Sequence, residues 1–269
     1  MMRSLWTAAS GMKTQQTTVD IISNNLSNVN TVGYKKERLE FKSLLYETMR
    51  KAGDVDNGGS PVNLQVGHGV KTSASVKTFS QGTFERTEGS LDFAIEGAGF
   101  FVTQDGNGNE RYSRDGSFKM SLSNDGLMLS ASGGRPILDV NGDPIIFESG
   151  MTAENITVDE KGNFTTMEDG SVVDLGIQMQ VVQFRNSQGL LSLGGGLYET
   201  TIASGEAILE AENDDIEDSF VLQGGLEGSN VQAVEEMVKL IVAQRAYELS
   251  SKAIQTSDEM LSLANELKR

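Results

Sequence analysis

The longest unbroken hydrophobic pattern runs from Ser229 to Arg269, a stretch without Gly or Pro. Val231, Val234, Val238, Val242, Ala246, Leu249, Ala253, Thr256, Met260, Leu263 and Leu267 step by three and four, which predicts one long helix. At 1.5 Å per residue it would run roughly 60 Å. From Val242 onward the steps alternate like a heptad. Between Val234 and Ala246 they go four, four, four, as in a stutter that locally unwinds a supercoil. A second set, Met237, Leu240, Ile241, Tyr247, Ile254, Leu261 and Ala264, widens the stripe beyond the needs of one partner helix. Ser229 and Gln232 read as a capping box, and Lys268 and Arg269 suit the negative end of the helix dipole.

The other end of the chain repeats the theme. Leu5, Met12, Val19 and Leu26 lie seven apart, with Ala8, Gln15 and Ile22 between them, which predicts a helix from Ser4 to about Leu26. Asn28, Asn30 and Gly33 accept turn conformations and end it. The expectation is that the two helices pair through these seams and that the middle is inserted between them. Two such helices bury too little apolar surface to offset the entropy of ordering them, so they are expected to order fully only when copies assemble.

Between the helices the period changes. The charged segment Tyr34 to Met49 reads as a short helix or an extended arm, and Gly53 to Gly69 reads as a long loop. Val70 to Phe79 alternates like a strand, as do Leu91, Phe93 and Ile95. Asp105-Gly106, Asp115-Gly116, Asp125-Gly126 and Asn141-Gly142 are hairpin signals. Ile156 and Val158, Phe164, Val172 to Phe184 and Leu197 to Ile202 supply further strands, and Ile208 to Val221 returns through an acidic run. The fold class expected is α+β: terminal helices forming a coiled-coil domain, with a small barrel or sandwich between them. The divisions are 1–34 for the first helix, 35–79 for the arm, loop and first β segment, and 80–205 for the central β domain. The return segment is 206–226 and the last helix 227–269.

Thirty Gly and three Pro among 269 residues suit a turn-rich β protein with helices attached. A net charge of −16 argues against a nucleic-acid-binding face. The absence of Cys excludes thiolate catalysis and cysteine metal sites and fits either redox compartment. The opening Met1 to Trp6 lacks the apolar core of a signal peptide, and no run is long enough to insert in a membrane, so any export is expected without a cleaved leader. Asp105 to Gly116 begins like a calcium loop but has Glu110 where Gly is needed and Gly116 where Glu is needed; Asp139 to Asp143 meets Pro144 in the same way. Gly97-Ala98-Gly99 lacks the third glycine of a dinucleotide site. His68, the only histidine, sits between two glycines with no nucleophile elbow, and the Asp214-Asp215 cluster reads most simply as a solvated face. No residue pattern argues for an enzyme, a cofactor or a metal.

Three stretches resemble a known family. Met2 to Met12, Gln15-Gln16 and Ser23 to Lys35 resemble the N-terminal signature of flagellar rod and hook proteins. Leu226 to Val231 and Gln244-Arg245-Ala246-Tyr247-Glu248 resemble their C-terminal signature. Asn63 to Gly67, Gly69-Val70, Ser80-Gln81-Gly82, Leu91 to Gly97, Gly99 to Phe101 and Tyr112 to Phe118 look most like the distal-rod members. The resemblance implies a structural subunit that stacks helically with its own copies into a hollow shaft, carrying torque to the hook. It implies contacts with proximal rod proteins, hook or hook-junction proteins and periplasmic and outer-membrane ring proteins, and delivery by the flagellar export apparatus, with no cofactor. The assembly interface expected comprises Leu5, Met12, Val19, Asn24, Asn25, Leu26, Asn28, Asn30, Val238, Val242, Gln244, Arg245, Tyr247 and Leu249. The asparagines would end the first helix and bridge backbone groups between subunits, with simple capping as the alternative. Proximal rod and hook subunits of the same family, and a carbohydrate-active β protein with paired carboxylates, are the competing readings.

Overall fold

The computed structural model describes residues 2–52, 62–123, 126–148, 151–168, 171–212 and 216–267. The chain is α+β, with an N-terminal helix α1 (Met2–Ser27), a mostly β middle and a C-terminal helix α2 (Ala233–Glu266). It divides into two compact units, and neither is continuous in sequence.

One unit comprises Met1–Ser27, Glu37–Lys77 and Gln232–Arg269. In it α1 and α2 lie antiparallel. Two antiparallel strand pairs join them, Glu37–Ser43 with Val70–Lys77 and Tyr46–Arg50 with Leu64–Gly67. The charged segment after the first helix is therefore an extended arm. The expected loop is shorter than its glycines suggest: Leu64–Gly67 is a strand, while residues 53–61 of that expectation lie outside the described residues. A Cβ on Gly67 would stand 3.2 Å from the Tyr46 ring, so the glycine leaves room for that ring on the neighbouring strand.

The start of α2 differs from the capping-box reading. The N-cap is Gln232, whose side chain makes no capping bond. Ser229 Oγ instead accepts the Val231 N–H at 3.3 Å. The neighbouring Asn230 is committed elsewhere: its Oδ1 accepts the Lys36 N–H at 2.7 Å and its Nδ2 donates to Thr78 O at 2.8 Å. A backbone held this way is not free to coil, so the helix begins later. Glu235 and Glu236 in its first turn then suit the positive end of the dipole. Lys268 and Arg269 lie outside the described residues.

The other unit comprises Asn28–Lys36 and Thr78–Val231. Its largest sheet is antiparallel and six-stranded, in the order Leu191–Gly194, Leu197–Glu199, Glu110–Ser113, Phe100–Gln104, Val181–Gln183, Ile208–Leu209. A four-stranded sheet surrounds Gly126–Ala131, and a three-stranded one runs Ile156–Val158, Asn163–Glu168, Ser171–Gln178. None of the described sheets closes on itself. Alternation along Phe100–Gln104 sends Phe101 into one core, with Phe93, Phe118, Leu129 and Phe164. Phe100 and Val102 enter another, with Tyr112, Leu138 and Tyr198.

The turn signals divide. Asp105-Gly106 opens a hairpin between Phe100–Gln104 and Glu110–Ser113. Lys119–Ser123 and Gly126–Ala131 form another, although Asp125 itself lies outside the described residues. Asp139 Oδ1 accepts from the Asn141 and Asp143 N–H groups and shapes the turn at Gly142. Asp115-Gly116 is no hairpin, because the strands on either side belong to different sheets. A Cβ on Gly116 would stand 1.8 Å from Phe93 O, so this glycine is there for a close backbone approach.

Candidate functional site

The two helices meet through small residues. Ser4 Oγ lies 3.3 Å from Ser257 Oγ, a Cβ on Gly11 would stand 3.4 Å from Ser250 Oγ, and Asn25 Nδ2 donates to Glu236 Oε2 at 3.2 Å. Each step along α1 matches an equal step back along α2, so the antiparallel register is constant. The hydroxyls on this face are satisfied within their own helices: Ser257 Oγ donates to Ala253 O at 2.7 Å, Ser250 Oγ to Ala246 O at 2.9 Å and Thr14 Oγ1 to Ser10 O at 2.7 Å. Small side chains let the helices approach closely without orphaning a polar group.

That packing overturns the expected pairing of the two apolar seams. On α2 the buried face carries Glu236, Ala243 and Ser257, with Leu240, Ile254 and Leu261 half-buried beside them. The seam points outward: Val238 is 56% exposed, Val242 63% and Leu249 67%, and Val234, Met260 and Leu263 are exposed too. On α1, Leu5, Met12, Val19 and Leu26 are half-buried and Ile22 is buried. The monomer therefore leaves a continuous apolar stripe of α2 in solvent, larger than scattered surface apolars require.

The polar candidates separate by burial. Asn25 is buried, and its amide clasps both backbone groups of Glu37, donating to Glu37 O at 2.7 Å and accepting from Glu37 N–H at 3.0 Å. It ties the end of α1 to the first strand of the arm. Asn24 and Asn30 are exposed, and Asn28 Oδ1 accepts from the Thr31 hydroxyl at 3.1 Å. Arg245 pairs with Glu248 at 2.9 Å, both ends exposed, a contact worth a few tenths of a kcal/mol. Gln244, Tyr247 and Glu248 join Gln16 and Val19 around a groove of about 390 Å³.

Sequence reasoning missed a buried ion cluster in the β unit. Lys35 Nζ lies 2.5 Å from Glu227 Oε1 and donates to Ser80 O at 2.9 Å. Arg114 Nη1 lies 3.4 Å from Glu227 Oε2, its Nη2 donates to Gly97 O at 2.8 Å, and its guanidinium stacks 4.8 Å from the Phe100 ring. All three side chains are about 1% exposed. The Gly82 N–H also donates to Glu227 Oε1 at 2.8 Å, and a Cβ on Gly82 would meet Gly228 O at 1.9 Å, so glycine is needed there. Burial pushes the Lys35 ammonium below its ordinary pKa of 10.5, with Glu227 opposing, and burial pushes Arg114 down likewise. Each residue sits inside one of the motifs that carried the resemblance. That coincidence was the available signal.

Among the described residues no cluster of His, Asp or Glu is placed to hold a metal, and no helix is long and apolar enough to cross a membrane. His68 is half-exposed, 3.7 Å from Glu47 Oε2. The helix unit carries an outward apolar stripe and the β unit is held by buried ions, features of a structural subunit that associates with other chains. The family matches agree with it. Residues 5–35 match the family described as Flagella basal body rod protein, residues 94–178 the Flagellar hook protein FlgE/F/G D1 domain, and residues 222–267 the Flagellar basal body rod FlgEFG protein C-terminal. The chain is 45% identical to the flagellar basal-body rod protein FlgG of Borreliella burgdorferi, over 100% of both chains. It is 39% identical to FlgG of Agrobacterium fabrum over 98% of both, and 33% identical to the flagellar hook-basal body complex protein FlhP of Bacillus subtilis over 100% of both. The chain belongs to the flagellar basal-body rod protein FlgG family. It is a structural subunit of the flagellar rod, not an enzyme.

Proposed function

We propose that copies of this chain stack helically into the distal part of the rod, a hollow drive shaft that transmits motor torque to the hook. The outward stripe of α2 carries this reading. Val234, Val238, Val242, Leu249 and Met260 are spaced for a helical partner that the monomer's own α1 does not supply. In the assembled shaft the segments 1–34 and 227–269 form a coiled-coil wall, with Leu5, Met12, Val19, Leu26, Val238, Val242 and Leu249 at subunit contacts. Asn24, Asn28, Asn30, Gln244, Arg245 and Tyr247 add polar contacts beside them. The arm 35–79 touches neighbouring copies and stiffens the shaft. The segments 80–205 and 206–226 make a sandwich-like outer domain, supported by cores on both faces of the six-stranded sheet. Its further partners are the proximal rod, the hook or hook-junction proteins and the periplasmic and outer-membrane rings. Delivery is by the flagellar export apparatus without a cleaved leader.

Deleting the gene in its host and imaging purified basal bodies by electron microscopy tests the placement. The expected result is a short rod stub without distal rod or hook. A complete rod lacking only the hook would make this chain a hook subunit.

A further inference from the structure

We propose that the groove between α1 and α2 receives Trp6 of a second copy of this chain. The inference rests on the self-assembly reading above and names one contact within it. Trp6 is the only tryptophan in the chain, and 74% of it is exposed on α1. A large indole left in water on a helix is an anchor without a pocket. The groove supplies one. Its volume of about 390 Å³ falls within the roughly 300–1,000 Å³ of clefts that hold small organic groups. Val19 and Tyr247 supply apolar lining, while Gln16, Gln244 and Glu248 supply oxygen acceptors. An indole needs this combination: apolar surface for its flat body and an acceptor for its single N–H.

The chain's own Trp6 cannot fill this groove. The Ser4–Ser257 contact sets Trp6 beside the distal part of α2, while the groove lies at Gln244 to Glu248. Gln16 is ten residues further along α1, about 15 Å away and beyond the reach of the side chain. The occupant must come from another molecule, and charge favours a second copy. The whole of α1 carries Arg3 and Lys13 against the single acid Asp20, whereas α2 carries six acids against three bases. The groove also continues the exposed stripe through Ile241 and Val242. Because Trp6 and the groove are different surfaces, the contact is heterologous. In an open stack it leaves a free Trp6 at one end and a free groove at the other, so it can propagate as a helical shaft requires.

The single tryptophan makes the test direct. In the unmodified full-length chain, passing from monomers to assembled filaments should move its fluorescence to shorter wavelength and lower acrylamide quenching several-fold. The absence of native cysteine allows a second arm. Mixed Trp6→Cys and Gln244→Cys chains should yield a disulfide-linked pair under mild oxidation, and Trp6→Cys with Ser262→Cys should not. Filaments in which Trp6 stays as quenchable as in the monomer would overturn its placement and leave self-assembly standing. Folded chains that form no filaments would overturn the assembly reading itself.

Discussion

Glu227 is the residue on which most depends in the β unit. It is the carboxylate in direct contact with both Lys35 and Arg114, and it binds the Gly82 N–H as well. Burying three charges costs more than their attraction returns, which is why the Lys35 pKa falls despite its partner. The sign follows: between the lowered value and 10.5 the unfolded chain holds the extra proton, so the Lys35 contribution to stability rises with pH in that window. The cluster's value is specificity, since it fixes three distant segments in one arrangement. Glu227→Gln strands two cations and is expected to cost about 3–5 kcal/mol. At ~3 °C per kcal/mol that lowers Tm by roughly 10 °C in a thermal scan. The motifs held all three residues, but nothing in the sequence showed that they meet. Lys35 and Glu227 are 192 positions apart, and no periodicity links residues that distant.

At the scale of elements the reading went further. Both helices follow from their spacing, and the strands on either side of Asp105 from alternation and turn chemistry. What periodicity could not say was which helix face the monomer buries. It marks apolar residues, and the helix pair uses Gly11, Ser250, Ser257 and Ala243 instead. The same fact separates folding from assembly. Val242→Ser should leave the monomer's folding free energy within about 0.5 kcal/mol of the parent's, because the side chain is already in water. If the stripe is buried in the shaft, each subunit contact loses about 1.5–3 kcal/mol. Sedimentation of mixtures above and below the parent's critical concentration checks this, and equal assembly would remove Val242 from the interface.

At the scale of the molecule, the two units are interleaved along the chain. The sequence suggested an insertion between two ends. It did not show that Glu37–Lys77 belongs with the helices while Asn28–Lys36 belongs with the β unit. Such membership depends on long-range bonds, for example those of Asn25 to Glu37 and Asn230 to Lys36. All of the β unit precedes Gln232. A chain ending at Val231 should therefore melt cooperatively in near-ultraviolet circular dichroism, and one ending at Gly224 should not, having lost Glu227 and its strand.

The interleaving also works as a clock. A chain delivered N-terminus first, from a ribosome or through a secretion channel, can complete its β unit while α2 is still on its way. The helix that presents the apolar stripe comes after the whole β unit, and until then α1 lacks its helical companion and the stripe proposed above as the assembly surface is absent. On the proposed assembly, competence to join the shaft is thus set by the arrival of α2, which would confine growth to the place where that helix is released.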